Sequence, residues 1–276
     1  MRRYARQPVP APGDAGRKPC AIITGGSEGI GRGLAGEFAA RGHNLLLIAR
    51  DLGHLRAAAD EIGRDHGVKV ATAAIDLTAP DAVKQVEAAL AAAGLYADYL
   101  VNNAGIGLGG AFAGQDAERL DQLASLNMAA LTALTRRFLP DMLARTRGGV
   151  LNIASLGGLL PGPYQAAYYA SKAYVISLTE ALAYENAGRG VRISAAVPGP
   201  VATRFHAKMG VTSAPYLFLH TQPSPERVAR IIYSGFMGRR LLIAPGLLPT
   251  FNFAFVGFIP HFLLVPFVGW FLKQRY

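Results

Sequence analysis

The sequence predicts an α/β fold, a doubly wound parallel sheet in one domain. Three observations predict it. Strand-like and helix-like stretches alternate from Cys20 to Ala244. The strand-like runs are continuously apolar, as in Asn44–Ala49, which marks a sheet covered by helices on both faces. Residues of unusual chemistry fall at the carboxyl ends of these runs, where such sheets bind ligands.

The elements follow in order. Residues 1–19 hold Arg2, Arg3, Arg6, Arg17 and Lys18 among Pro, Ala and Gly, a flexible basic arm with no apolar signal core behind it. Cys20–Thr24 is the first strand. Ile30–Arg41 is a helix with Leu34, Ala35 and Phe38 inward and Gly42 as its stop. Asn44–Ala49 is a strand, Leu52–His66 a helix, Val68–Ile75 a strand. Pro80–Ala93 is a helix with Pro at its start, and Tyr99–Asn102 a strand. Gln115–Arg147 holds one or two helices, kinked near Pro140. Val150–Ala154, Tyr168–Ala187 and Val191–Val197 read as strand, helix, strand, and Leu241–Ala244 as the final strand. Residues 20–245 therefore form the core domain and 246–276 an apolar extension.

The 276 residues, 51% of them hydrophobic, suffice for one α/β domain with a full core. The single cysteine, Cys20, cannot form an intramolecular disulfide and fits a reducing, cytoplasmic compartment. A net charge of +10 suits nucleic acid, a phosphate-rich cofactor or an anionic membrane surface. No zinc-finger, helix-turn-helix or RNA-sheet signature appears, so a nucleic-acid partner is not expected.

The chemistry-bearing stretches sit between strands and helices. Thr24-Gly25-Gly26-Ser27-Glu28-Gly29-Ile30-Gly31 joins the first strand to the first helix. Its glycines allow a tight turn and let a pyrophosphate approach the helix N-terminus. The second strand ends Ala49-Arg50-Asp51. An acid there would hold the ribose 2′-hydroxyl of NAD, whereas Arg50 offers a cation for a 2′-phosphate. Asp51 takes the acid's part if the boundary lies two residues on. Asp76-Leu77 closes the third strand and suits an adenine amino group. Asn102-Asn103-Ala104-Gly105 closes the fourth, where amides lock backbone and Gly105 leaves room for a cofactor. Ser155 follows the Val150–Ala154 strand. Tyr168 and Lys172 stand four apart, on one helix face one turn apart. A phenol is a poor acid or base at neutral pH, and a nearby ammonium would lower its pKa.

Together these stretches resemble the short-chain dehydrogenase/reductase family. The match rests on Thr24–Gly31, Asn102–Gly105, Ser125-Leu126-Asn127, Ser155, Tyr168-x-x-x-Lys172 and Pro198-Gly-Pro-Val-Ala-Thr203, spanning residues 20–203 in the family's order. The resemblance implies a Rossmann-like fold and hydride transfer between a nicotinamide cofactor and a ketone or secondary alcohol. Tyr168 would be general acid or base, Lys172 would tune it and hold the nicotinamide ribose, and Ser155 would steady the substrate oxygen. Asn127 would hold a water that relays protons. Pro198, Val201 and Thr203 would contact the nicotinamide end, with Gly25, Ser27, Gly29, Ile30, Gly31, Arg50, Asp76, Leu77, Asn103, Ala104 and Gly105 holding the rest. Ala49-Arg50 is similar to NADP(H)-using members, which ranks NADP(H) above NAD(H). Glu28 departs from the pattern, since NADP-preferring relatives often carry a small polar residue there. Family members usually form homodimers or homotetramers.

The stretches Leu156–Pro163 and Phe205–Leu219 flank the substrate side and are apolar, which predicts a bulky lipophilic carbonyl or alcohol such as a long-chain 3-oxoacyl, steroid or terpenoid skeleton. Gly246–Leu272 carries no charged residue and is cut by Pro249, Pro260 and Pro266. A straight transmembrane span is not expected of it. It would lie on a membrane surface, pack on a partner subunit or cap the pocket. A non-catalytic dinucleotide sensor or scaffold is the rival to an enzyme; intact proton-transfer residues speak against it.

Overall fold

Seven strands form one sheet: β1 (Lys18–Thr24), β2 (Asn44–Ala49), β3 (Val70–Ala74), β4 (Leu95–Asn102), β5 (Gly149–Ile153), β6 (Arg192–Ala196) and β7 (Leu242–Ile243). They are parallel throughout, in the order β3-β2-β1-β4-β5-β6-β7. The computed structural model describes residues 14–211, 214–215, 222–246 and 259–273. The chain steps outward from β1 to β3, then crosses back to β4 on the other side. The resulting crevice between β1 and β4 is where such sheets take ligands.

Strand periodicity explains how both faces are filled. Ala21 and Ile23 of β1 join one cluster with Leu34 and Phe38 of α1 (Gly29–Ala39), Leu55 and Ile62 of α2 (Leu52–His66), and Ile232 and Phe236 of α8 (Pro225–Met237). Cys20 and Ile22 point the other way, to Val86 and Leu90 of α3 (Ala82–Ala92) and Phe138 and Met142 of α5 (Leu131–Ala144). Burial pushes the Cys20 thiol far above its ordinary pKa, so it is an inert core group. Between β4 and β5 the paired Asn102 and Asn152 form a buried polar bridge. Asn102 donates to Asn152 at 2.9 Å and to Thr135 at 3.0 Å, and Asn152 donates to Thr179 at 2.9 Å. This ties the strands to α5 and to α6 (Ala166–Glu185).

Several boundaries differ from the sequence expectation. β1 starts at Lys18, so Lys18 and Pro19 belong to the sheet and not to the arm. Asp14 is also held, in a buried ion pair with Arg145 at 2.7 Å. The rest of the arm, residues 1–13, lies outside the described residues. The expected break near Pro140 is not where the long helical stretch divides. Pro140 lies inside α5; α4 (Ala117–Ala124) and α5 are separated by a wide π turn, Ser125–Ala130. Such turns concentrate at functional sites, and this one carries Asn127. Of the C-terminal extension, the described part forms α9 (His261–Leu272).

Candidate active site

Thr24 ends β1 and stitches it to the end of β4. Its hydroxyl accepts the N–H groups of Asn103 and Ala104 at 2.9 and 3.0 Å. Asn103 returns two bonds from its amide, to the carbonyls of Thr24 and Gly25 at 3.0 and 3.1 Å. The glycine loop then turns through left-handed backbone at Gly25 and Gly29, φ +64° and +57°. A Cβ on Gly31 would lie 2.1 Å from the Gly25 carbonyl oxygen, so only glycine lets α1 start this close to the loop.

A cavity of about 1300 Å³ runs along the carboxyl ends of the strands. Gly25, Ser27, Gly29, Ile30, Arg50, Asp76, Leu77, Asn103, Ala104, Gly105, Ser155, Tyr168, Lys172, Pro198, Val201 and Thr203 all line it. Gly31 and Asn127 do not. Gly31 lies beneath the loop, and Asn127 is buried behind it with its amide fully engaged. Its oxygen accepts from Ile106 N–H at 2.9 Å, and its nitrogen donates to the Ile106 carbonyl at 2.9 Å and Ser171 Oγ at 3.0 Å. The side chain braces the Gly105 loop against α6. A Cβ on Gly105 would come within 3.1 Å of Asn127 Oδ1 and 3.5 Å of Lys172 Nζ.

At one end of the cavity stands Arg50, joined by His54, Arg32 and Glu61. Asp51 follows β2, which ends at Ala49 as expected. It caps α2, accepting the His54 N–H at 3.0 Å and pairing with the His54 ring at 3.0 Å. Arg32, which the sequence reading missed, pairs with Glu61 at 2.5 Å. That contact joins α1 to α2 across 29 residues, and no local pattern signals it. Asp76 is held below the usual carboxylate range, chiefly by the Thr78 hydroxyl and N–H and less by the Arg50 charge.

Glu28 proves to be neutralised. It bonds Arg204 at 2.5 Å and also bonds Lys208, on the short helix α7 (Phe205–Lys208). Burial pushes its carboxyl up, but the bonds from Lys208 and Arg204 outweigh this and hold it below its ordinary value. The carboxylate is thus turned toward two cations and does not stand bare against a phosphate.

Ser155, Tyr168 and Lys172 converge at the other end. Ser155 caps a single 3₁₀ turn, Leu156–Leu159, its Oγ accepting the Gly157 N–H at 3.1 Å. Its hydroxyl also acts on the Tyr168 phenol, favouring the charged form. Lys172 Nζ donates to the Ile153 carbonyl at 2.8 Å and lies 5.8 Å from the centre of the Tyr168 ring. The expectation that Lys172 depresses the Tyr168 pKa is corrected here. Burial pushes Tyr168 up to about 12, opposed only by the Ser155 hydroxyl, and pushes Lys172 down to about 8. Desolvation penalises both charged forms.

This has a measurable consequence. Lys172 binds its proton more weakly folded (about 8) than unfolded (about 10.4). The cost of burying its charge is therefore complete below pH 8 and fades as pH rises toward 10. A Lys172→Met variant should gain on the natural chain at pH 7 relative to pH 10, by about 2 kcal/mol. Denaturant melts at the two pH values measure this; an equal difference at both would contradict it.

Beyond Tyr168 the walls turn apolar, with Leu160, Tyr169, Phe205 and Met209 joined by Leu264, Val268 and Leu272 of α9. The described part of the extension thus packs on the cavity.

The fold and these side chains define a dinucleotide-binding domain of the doubly wound class that brings a serine, a tyrosine and a lysine together in one cavity. The chain belongs to the short chain dehydrogenase family, whose sequence profile matches residues 19–213. It is 35% identical over 188 residues to a very-long-chain 3-oxoacyl-CoA reductase of Bos taurus, covering 67% of this chain and 60% of that protein. The matched stretch is thus about three fifths of that relative's length. A short-chain dehydrogenase from Sphingobium yanoikuyae, solved with NADPH, superposes with a TM-score of 0.76 at 32% identity, covering 87% of this chain and 94% of that one. The bulky-bulky ketone specific alcohol dehydrogenase from Comamonas testosteroni superposes with a TM-score of 0.72 at 27% identity, covering 89% and 96%.

Proposed function

We propose that the chain is an NADP(H)-dependent oxidoreductase acting on a lipophilic ketone and the corresponding secondary alcohol, with a long-chain 3-oxoacyl or similarly bulky group as substrate. One observation carries the reading: a single cavity joins an end that holds Arg50 to the Ser155–Tyr168–Lys172 set and then to an apolar wall. The names of the relatives, a reductase of very-long-chain 3-oxoacyl groups and a dehydrogenase of bulky ketones, lend support.

The residues present fit the cofactor. Left-handed glycines and the close-packed Gly31 leave the loop backbone open to a pyrophosphate, and Gly105 keeps side chains away from the space before Lys172. Asp76 and Leu77 would hold the adenine, Arg50 the 2′-phosphate, and Pro198, Val201 and Thr203 the nicotinamide end. The nicotinamide, when bound, supplies or accepts the hydride. Ser155 would hydrogen-bond the substrate oxygen. Tyr168, whose burial keeps its proton on at neutral pH, would donate that proton as the oxygen takes up charge. Lys172 would hold the ribose, while Asn127 positions the loop and α6 from behind.

The test is NADPH oxidation by the purified chain across small polar ketones, 3-oxoacyl thioesters and ketosteroids, repeated with NADH. Turnover of the long or fused-ring ketones with NADPH is expected. Silence with NADPH bound would return the chain to the sensor or scaffold reading. Arg50→Ala should weaken NADPH binding about tenfold or more, through loss of one charge-assisted contact, and leave NADH binding unchanged. Equal loss for both cofactors would remove Arg50 from the phosphate site.

A further inference from the structure

Helix α9 (His-Phe-Leu-Leu-Val-Pro-Phe-Val-Gly-Trp-Phe-Leu) is apolar on every side, yet only one side is used. Leu264, Val268 and Leu272 pack on Leu160 and Tyr169 at the cavity wall. On the opposite side Phe262 is 75% exposed and Trp270 58%, with Leu263 exposed beside them; Phe267, also exposed, stands at the cavity edge.

We propose that this outer face docks on an anionic phospholipid bilayer, with α9 lying in the membrane plane beside the mouth of the cavity. Length sets the orientation. Twelve residues of helix reach roughly 18 Å, against about 30 Å of hydrocarbon, and no helix among the described residues is long and apolar enough to cross a membrane. Charge chooses the lipid. Glu226 is the last acid in the sequence, and Arg227, Arg239, Arg240, Lys273 and Arg275 follow it, besides Arg230, which pairs with Glu37. A basic, acid-free and aromatic-rich segment complements an anionic surface, whereas a second copy of the same positive segment would be repelled. The cavity continues onto the inner face of the same helix, so a docked chain would present its apolar mouth to the lipid. That consequence rests on the lipophilic substrate proposed above; the docking does not.

Trp270 is the sole tryptophan of the chain and reports directly. The full chain is mixed with vesicles of phosphatidylcholine, or of phosphatidylcholine with phosphatidylglycerol, with and without brominated acyl chains. On the anionic vesicles the emission should shift to the blue and be quenched by the bromines, and added salt should weaken the effect. The double variant Phe262→Ser with Leu263→Ser, whose side chains do not line the cavity, should bind the vesicles at least about tenfold less, with an unchanged melting temperature. Emission that ignores vesicles overturns the proposal. So does a blue shift that follows protein concentration without lipid, together with a dimer mass by light scattering, which would assign the face to a second copy. None of these readouts requires turnover, so they stand apart from the fate of the proposed reaction.

Discussion

Tyr168→Phe should abolish turnover while leaving the fold and NADPH binding in place. The substitution removes one oxygen and keeps the ring that packs against Tyr169 and Phe205, at centroid distances of 6.0 and 5.5 Å. Ser155 retains its bond from the Gly157 N–H. The stability change should therefore stay within about 1 kcal/mol. The chemical loss is far larger. General acid catalysis typically contributes about 10²–10⁴-fold. A kcat reduced at least about a hundredfold, with NADPH affinity unchanged, is the expected result. A variant that keeps a tenth of the activity would move proton transfer elsewhere.

The second large effect lies at Gly31, and it acts through geometry rather than chemistry. An added methyl would meet the Gly25 carbonyl oxygen at 2.1 Å and Asn103 Nδ2 at 2.4 Å. Neither can retreat cheaply. The Gly25 N–H donates to the Ile48 carbonyl at 2.7 Å, and the Asn103 amide holds Thr24 and Gly25. Gly31→Ala should cost about 3 kcal/mol or more and weaken NADPH binding by about a hundredfold, since the displaced loop is the proposed pyrophosphate cradle. Gly36, five residues along the same helix, is the internal control. Its Cβ would meet nothing within 4 Å, so Gly36→Ala should be neutral or stabilising by up to about 1 kcal/mol. Melting curves and cofactor titration on both variants separate a loop clash from a general intolerance of α1 to alanine. Similar behaviour of the two would contradict the close-packing account.

What could be read from the sequence was local. β2 and α2 match the expected bounds residue for residue, because a continuous apolar run and a Gly67 stop are complete within a few positions. The glycine loop, the Asn103 turn and the Tyr168–Lys172 spacing are likewise contiguous patterns. What escaped depends on distance or on burial. The Glu28 contacts to Arg204 and Lys208 span 176 and 180 residues, so its neutralisation had no local signature. The packing of α9 against Leu160 and Tyr169 is equally remote. The direction of the Tyr168 pKa differs from the expectation because spacing shows proximity but not desolvation, and here desolvation prevails. The π turn at Ser125–Ala130 was hidden by a strong expectation at Pro140.

The most direct measurement of the central claim follows the hydride itself. NADPH deuterated at C4 of the nicotinamide, prepared separately in both stereochemical forms, is incubated with the purified chain and a ketone that supports turnover. The proposed reaction predicts that one of the two forms delivers a single deuterium to the carbinol carbon of the alcohol, and that Tyr168→Phe stops its appearance. An alcohol free of deuterium from both forms, or a transfer indifferent to Tyr168, would contradict the account.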